Sequence, residues 1–242
     1  MNKIIDVPAQ KKLVARHCVD VLFKEKKIFS GMKIGLGTGS TAICVVKHIA
    51  DLIAEKKLND IFAVPTSYQT SMECEKFGIP IYSLNSKQID AGLDLTIDGA
   101  DEITPEKYLI KGGGAALLKE KITAYNSKNF VIIADETKKV NSLGMGFALP
   151  IEIVPEAILS IIKKLEMMGG KAVLREGIKK MGPVITDNGN FIIDVRWSEP
   201  LREPKKMEDN LNCITGIVEN GLFTKLKPHV FIAHSDGTVE DF

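Results

Sequence analysis

The chain has 242 residues, 45% hydrophobic and 26% charged, which is typical of a globular protein and excludes the disordered and collagen-like classes. Its 32 Lys and Arg residues nearly balance 31 Asp and Glu residues, and the basic pairs are scattered, which argues against nucleic acid or an anionic membrane as a partner. No apolar run approaches the ~20 residues of a membrane span, and the N-terminus is charged where a signal peptide is apolar, so we expect a cytoplasmic protein.

Helix-like and strand-like patterns alternate over the first ~145 residues. In chain order they predict a helix at 10–25, a strand at 32–36, a helix at 41–53, a strand at 61–64, a helix at 67–77, strands at 79–84 and 93–97, a helix at 115–125 and a strand at 130–134. Short apolar strands that alternate with helices indicate an α/β fold, a doubly wound, mostly parallel, Rossmann-like sheet with both faces covered.

The pattern changes after Pro150. It predicts strand 148–153, helix 155–168, strand 171–174, strand 191–195, helix 205–211 and strand 214–219. This β-α-β-β-α-β order is that of a smaller, ferredoxin-like α+β domain at 148–221. The apolar segment 229–233 has no helix of its own and is expected to return to the first sheet. The small domain would then be an insertion into a catalytic domain formed by 1–147 and 222–242.

Cysteines and histidines give no support for a disulfide or a metal site. Cys18, Cys44, Cys74 and Cys213 form no CxxC pair, and the four histidines form no HxxxH or HExxH segment. We therefore expect buried free thiols and no transition metal.

The first segment that suggests chemistry is Gly35-Leu-Gly-Thr-Gly-Ser-Thr41, between a strand and a helix. Glycines permit a tight turn, the helix N-terminus offers N–H groups, and Ser40 and Thr41 add hydroxyls, so the loop suits a phosphate. The dinucleotide motif does not fit, because the third glycine comes one position early and the next strand ends without an acid. The nucleotide P-loop does not fit either, since no Gly-Lys-Ser/Thr follows. A plain strand-to-helix turn is the alternative.

The second segment is Asp98-Gly-Ala-Asp-Glu102, directly after an apolar strand. Three carboxylates in five residues repel one another unless hydroxyls, cations or a metal compensate them. In isolation the segment would be read as a solvated acidic loop or a helix cap, and an oxygen-rich magnesium site is a further alternative.

The third segment is Lys111-Gly-Gly-Gly-Ala-Ala116, which opens a helix that carries Glu120. Successive glycines expose backbone N–H donors that can stabilise an oxyanion, and Lys111 adds a cation. With Asp98 and Asp101 close by in sequence, these parts suit a proton-transfer site. Taken alone, Glu120 would be an ordinary surface charge on a helix.

Taken together, these motifs resemble ribose-5-phosphate isomerase, A type. The similarity continues through Ala134-Asp135, Leu149–Pro155, Thr186–Asn190 and Glu219–Phe223, and it covers essentially the whole chain in order. It implies a cofactor-free interconversion of ribose 5-phosphate and ribulose 5-phosphate in the pentose phosphate pathway, through an enediolate. It also implies a sugar phosphate as the partner and a homodimer or homotetramer as the assembly.

The resemblance assigns four catalytic residues. Glu120 would be the base that moves a proton between C1 and C2. Asp98 would assist ring opening, Asp101 would hold sugar hydroxyls, and Lys111 would steady the enediolate.

The resemblance also assigns substrate-binding positions. The phosphate would be bound by Thr38, Gly39, Ser40, Thr41 and Lys138. The family also has an N-terminal phosphate-binding lysine, which corresponds to Lys11, but this chain has extra residues between Lys11 and the Gly35 loop compared with the family. Asp98, Gly99, Ala100, Asp101, Lys111, Gly112, Gly113 and Gly114 would contact the sugar.

Two kinds of protein remain as alternatives. A sugar-phosphate sensor domain should lack the base and is usually joined to a DNA-binding helix-turn-helix, for which this chain has no room. An amino-sugar phosphate deaminase needs a catalytic histidine in its own motif, which is absent here, and a CoA transferase needs a larger cofactor site.

Overall fold

The structure is a computed structural model that describes residues 4–242, so Met1, Asn2 and Lys3 of the charged N-terminus lie outside the described residues. In chain order the elements are α1 (Val7–Lys24), β1 (Lys33–Leu36), α2 (Ser40–Ala54), β2 (Phe62–Pro65), α3 (Tyr68–Lys76), β3 (Leu95–Asp98), β4 (Glu102–Ile103), β5 (Leu109–Ile110), α4 (Leu117–Tyr125), β6 (Phe130–Asp135), β7 (Leu149–Ile153), α5 (Ile158–Met167), β8 (Lys171–Leu174), β9 (Phe191–Arg196), α6 (Pro204–Asn212), β10 (Ile217–Asn220), β11 (Leu222–Phe223), β12 (His229–Ala233) and β13 (Val239–Asp241). Short 3-10 turns lie at Glu136–Lys138 and Pro155–Ala157.

Side-chain caps determine where two of the early helices begin. Asp6 accepts a hydrogen bond from the backbone N–H of Ala9 at the start of α1 (2.9 Å), and Ser67 accepts one from Thr70 at the start of α3 (3.2 Å). Helix α2 differs, because its N-cap is Gly39, which has no side chain to bond the first-turn N–H groups.

The first compact unit holds the described residues up to Gly99, together with Lys119–Thr137 and Pro228–Phe242. Its sheet has the strand order β13-β12-β6-β3-β1-β2, in which every neighbouring pair is parallel except the antiparallel edge pair β12–β13. Helix α1 packs against α2, β6 and β12 over one continuous apolar core. The predicted parallel α/β sheet is therefore confirmed, and so is the return of the segment 229–233 to it.

The second unit holds Ala100–Leu118 and Lys138–Lys227. Its four-stranded antiparallel sheet has the order β10-β7-β9-β8, with α5 and α6 as the two crossover helices, and it encloses a separate apolar core. The predicted ferredoxin-like β-α-β-β-α-β arrangement is confirmed.

This second unit is larger than the predicted insertion 148–221. Strands β4, β5 and β11 form a small three-stranded antiparallel sheet that belongs to it, so residues 100–118 pack with the later part of the chain. Two-residue strands are too short for a periodic pattern, which is why the sequence did not predict this sheet.

The strand predicted at 79–84 is wrong. The segment makes only one isolated bridge, between Ile81 and Ala63. Pro80 has no backbone N–H to donate, and it offers only its carbonyl, to Ala63 (3.3 Å). A ladder therefore does not extend along this segment. The short antiparallel strand β13 was also not predicted.

No helix of the described residues is long and apolar enough to cross a membrane.

Within the second unit, a buried carboxylate binds the 144–147 loop. Glu102 is 1% exposed and accepts hydrogen bonds from the backbone N–H groups of Gly144 (2.6 Å), Gly146 (2.8 Å) and Phe147 (2.6 Å). Backbone donors supply the compensation that a buried charge requires. The third acid of the acidic loop is therefore structural.

We expect Glu102→Gln to lower the free energy of unfolding by about 2 kcal/mol, because the amide group places its own N–H donors against backbone N–H groups. Urea unfolding measures the change. The matched control is Glu106→Gln, an exposed glutamate of the same segment, which should stay within ~0.5 kcal/mol of the parent. Equal stability of the two variants would mean that Glu102 does not hold the 144–147 loop.

Candidate active site

The loop after β1 approaches the end of β3 too closely for any side chain at Gly37. A Cβ built on Gly37 would lie 1.9 Å from Asp98 Oδ1 and 2.7 Å from Asp98 Cα. The next residue, Thr38, donates its backbone N–H to the same Oδ1 (3.2 Å). Glycine at position 37 thus allows the loop and the first acid of the acidic loop to meet directly.

The same loop collects hydroxyls and a cation. Lys11, on α1, donates from Nζ to Ser40 Oγ (3.0 Å), and Thr38 Oγ1 lies 2.8 Å from Thr66 Oγ1. No acidic residue occurs in the first turn of α2. A helix N-terminus without a capping side chain, together with an ammonium and hydroxyls, provides the chemistry of an anion site.

Asp98 is completely buried, at 0% exposure. Its Oδ1 accepts the backbone N–H of Thr38 and that of Gly99 (2.7 Å). This carboxylate therefore has a fixed orientation at the carboxyl end of a parallel strand, where ligands of open α/β sheets bind.

Glu120 lies in the first turn of α4 and is only 4% exposed. The surface-charge interpretation of this residue is thereby excluded. The preceding residue, Lys119, places its ammonium 5.0 Å from the centre of the Tyr68 ring, and the following one, Lys121, is also 4% exposed.

In the second unit, Asp101 is bonded to the glycine loop. Gly113 donates its backbone N–H to Asp101 Oδ2 (2.8 Å), and a Cβ on Gly113 would lie 2.7 Å from Asp101 Oδ1. Gly112 has a φ of +105°, and a Cβ there would lie 2.8 Å from the side chain of Leu117. Two of the three glycines are therefore required by local geometry.

Lys111 is buried, at 2% exposure, at the entrance of this loop. Its Nζ lies 5.5 Å from the centre of the Phe223 ring, and its backbone N–H donates to the carbonyl of Gly221 (2.9 Å). A positive charge at this buried position beside an aromatic face would act strongly on a nearby negative charge, because the local dielectric constant is low.

The three carboxylates of the acidic loop have separate backbone partners, as the contacts of Asp98, Asp101 and Glu102 demonstrate. Among the described residues, no group of three or more His, Cys, Asp or Glu side chains could hold a metal ion.

The cysteines are free thiols, as predicted, but not all of them are buried. Cys18 and Cys74 are buried, and burial raises the pKa of the Cys74 thiol to about 11. Cys44 is half-buried, and Cys213 is exposed. The expectation of burial is therefore wrong for Cys213, which follows α6 at the surface of the second unit.

The predicted residues thus fall into two sets. The first unit carries Lys11, Thr38, Gly39, Ser40, Thr41, Asp98, Gly99 and Glu120, and the second carries Ala100, Asp101, Lys111, Gly112, Gly113, Gly114 and Lys138. Direct contacts join Lys11 to Ser40 and Thr38 to Asp98 in the first set, and Asp101 to Gly113 in the second. Lys138 is half-buried at the end of the 3-10 turn Glu136–Lys138.

Three further residues were not predicted from the sequence. Thr66 and Gln69 contact the loop after β1, the latter by accepting the backbone N–H of Gly39 (3.1 Å). Arg175 donates to the carbonyls of Gly112 and Gly113. Thr66 and Gln69 follow the neighbouring parallel strand β2, and that position could have indicated them.

Comparison with known proteins gives consistent matches. The family model for ribose 5-phosphate isomerase A (phosphoriboisomerase A) matches residues 62–237. The ribose-5-phosphate isomerase A of Treponema denticola is 66% identical over 238 residues, which are 98% of this chain and 100% of that protein. A solved D-ribose-5-phosphate isomerase in complex with phospho-erythronic acid is 41% identical, with a TM-score of 0.91 over 98% of this chain and 99% of its own. The ribose 5-phosphate isomerase A structure from Methanocaldococcus jannaschii is 40% identical, with a TM-score of 0.87 over 97% and 98% of the two chains.

This fold and these matches identify the chain as an aldose–ketose isomerase. The chain belongs to the ribose 5-phosphate isomerase A family, and it interconverts ribose 5-phosphate and ribulose 5-phosphate. The sensor domain, the deaminase and the CoA transferase are thereby set aside.

We expect Gly37→Ala to lower the free energy of unfolding by about 1 to 3 kcal/mol and to raise KM, because the new methyl group must displace Asp98 or the loop. Thermal unfolding and steady-state kinetics measure the two effects. Gly92→Ala is the matched control, since its Cβ would meet nothing nearer than 3.8 Å. Parent-like kinetics in Gly37→Ala would mean that the contact between this loop and Asp98 does not affect substrate binding.

Proposed function

We propose that Glu120 is the base that carries the proton between C1 and C2 of the sugar phosphate. The observation that supports this role most strongly is its burial, at 4% exposure, in the first turn of α4. A carboxylate shielded from water can take a proton from one carbon and return it to the next with little exchange with solvent. Removal of the C2 proton from the aldose gives an enediolate, and protonation at C1 then gives the ketose.

The loop after β1 is proposed to bind the phosphate of the substrate. Thr38, Ser40 and Thr41 offer hydroxyls, and Gly39 opens the helix N-terminus. The Lys11 ammonium, 3.0 Å from Ser40 Oγ, supports the assignment of this lysine to the phosphate, and Lys138 is proposed as a second phosphate cation.

The remaining residues are proposed to act on the sugar. Lys111 would compensate the negative charge of the enediolate, and its burial at 2% exposure strengthens that interaction. Asp98, whose orientation two backbone N–H groups fix, would assist ring opening. Asp101 would hold sugar hydroxyls beside the backbone of Gly112, Gly113 and Gly114, and Gly99 and Ala100 would line the same part of the site.

Other expectations from the sequence stay predictions. These are the homodimer or homotetramer, the cytoplasmic location and the independence from any cofactor.

We expect Glu120→Gln to lower kcat by about 10³-fold, within the range that general acid–base catalysis contributes, while the sugar phosphate still binds. Appearance of ketose from ribose 5-phosphate, followed in the presence of a chelator, gives kcat, and calorimetry gives binding. Glu166→Gln, on the exposed face of α5, is the control and should leave kcat unchanged. Near-normal turnover in Glu120→Gln would remove this residue as the base.

We expect Lys138→Ala and Lys11→Ala each to raise KM about tenfold or more with little change in kcat, because each removes a charge-assisted hydrogen bond to the non-reacting phosphate. The neighbouring lysines provide matched controls. Lys139→Ala and Lys12→Ala, which remove exposed side chains, should keep the parent KM. A defect confined to kcat would contradict the phosphate assignment.

A further inference from the structure

Arg175, directly after β8, joins the four-stranded sheet of the second unit to the glycine loop. Its Nη1 donates to the carbonyl oxygens of Gly112 (3.0 Å) and Gly113 (3.1 Å). The other side of the guanidinium donates to Asp194, from Nε to Oδ2 (2.7 Å) and from Nη2 to Oδ1 (2.5 Å). One planar group thus binds two loop carbonyls and one carboxylate.

The pair of Arg175 and Asp194 is held by strand pairing. Val173 of β8 is in register with Asp194 of β9, so Arg175 is the diagonal neighbour of Asp194 on the same face. The two side chains are 16% and 28% exposed. A forked pair of this geometry restricts the guanidinium to one plane, which a lysine at this position cannot reproduce.

This contact determines which way the loop's peptide groups point. In a trans peptide, the C=O and the N–H of one unit point in opposite directions. Because Arg175 binds the carbonyl of Gly112, the N–H of Gly113 in the same peptide unit points away from Arg175. This N–H is bonded to Asp101 Oδ2 (2.8 Å). When Arg175 holds the carbonyl of Gly113, the N–H of Gly114 is likewise turned away from Arg175.

The loop needs such an external contact, because three successive glycines have the greatest backbone freedom of any tripeptide. Gly113 and Gly114 are exposed. A peptide flip at either residue would replace an N–H donor by a carbonyl oxygen, which repels an enediolate.

We propose that Arg175, held by Asp194, is a positioning residue that fixes the orientation of the Gly112–Gly113 and Gly113–Gly114 peptides, so that the N–H of Gly113 stays on Asp101 and the N–H of Gly114 is oriented for contact with the sugar. The inference rests on the proposed role of this loop in binding the sugar. Arg175 acts through the loop backbone.

The first test compares Arg175→Lys and Asp194→Asn with Arg196→Lys, a matched control in which an exposed arginine of β9 is replaced. We expect kcat to fall about 100-fold in the first two variants, the loss typical of misplaced groups in an active site. Inhibition by inorganic phosphate, which reports on the phosphate loop, should be unchanged. The double variant should lose no more than the worse single variant, because the two residues act as one unit.

The second test is chemical rescue. A cavity of about 600 Å³ is lined by Arg175, Asp194, Gly113 and Gly114, among others, so a small guanidinium compound has access to the position of the lost side chain. We expect methylguanidinium at millimolar concentration to restore part of kcat in Arg175→Ala, and to have no effect on Arg196→Ala.

Parent-like kcat in Arg175→Lys would overturn the proposal. A fall in kcat would also overturn it if phosphate inhibition weakens, thermal stability drops and methylguanidinium does not reverse the loss. Failure of both Arg175→Lys and Asp194→Asn to fold would overturn it as well. Either result indicates that the pair has a structural role. The Glu120→Gln experiment is independent of these variants, so failure of the proposed base and failure of the positioning role can be told apart.

Discussion

Hydrogen bonds from backbone N–H groups to buried carboxylates fix the loops of the candidate site within each of the two units. Asp98 accepts them from Thr38 and Gly99, and Glu102 accepts them from three residues of the 144–147 loop. Removing a carboxylate from water costs several kcal/mol unless donors replace the lost hydration. Each carboxylate of the acidic segment binds the backbone of a different loop. These hydrogen bonds compensate the repulsion that three neighbouring negative charges would otherwise cause.

The glycines are the counterpart of these acids. A Cβ at Gly37 would lie 1.9 Å from a carboxylate oxygen of Asp98, and one at Gly113 would lie 2.7 Å from Asp101. Direct bonding between backbone and carboxylate requires this closeness, so the acid and the glycine at each contact depend on each other. These contacts restrict the backbone of both loops, so the loops' other N–H groups are held in place before the substrate binds. Such fixed donors favour electrostatic stabilisation of a negative charge on the substrate.

Isomerisation of an aldose phosphate moves one proton between adjacent carbons and leaves the phosphate untouched. This chemistry needs a base shielded from water, donors for a transient negative charge, and a distant anion site that holds the substrate. In the proposed function these three tasks belong to Glu120, to Lys111 with the glycine loop, and to the N-terminus of α2, and the first two side chains are 4% and 2% exposed. In the proposed arrangement, Arg175 orients the glycine loop whose N–H donors compensate the transient negative charge.

The sequence by itself determined the parallel sheet, the ferredoxin-like unit and the chemical motifs, because each depends on residues close together in the chain. The ends of the strands in the four-stranded sheet of the second unit, such as Lys171–Leu174, were predicted to within a few residues, since alternating apolar patterns are local. The sheet of β4, β5 and β11 and the bridge at Ile81 were decided only by tertiary packing, which brings together segments with no pattern of their own. The burial of Glu120 and the contact of Arg175 with Gly112, 63 positions away, were likewise decided by the fold. Sequence spacing records which groups a loop contains, whereas their orientation and their exposure to water depend on the distant segments that pack against it.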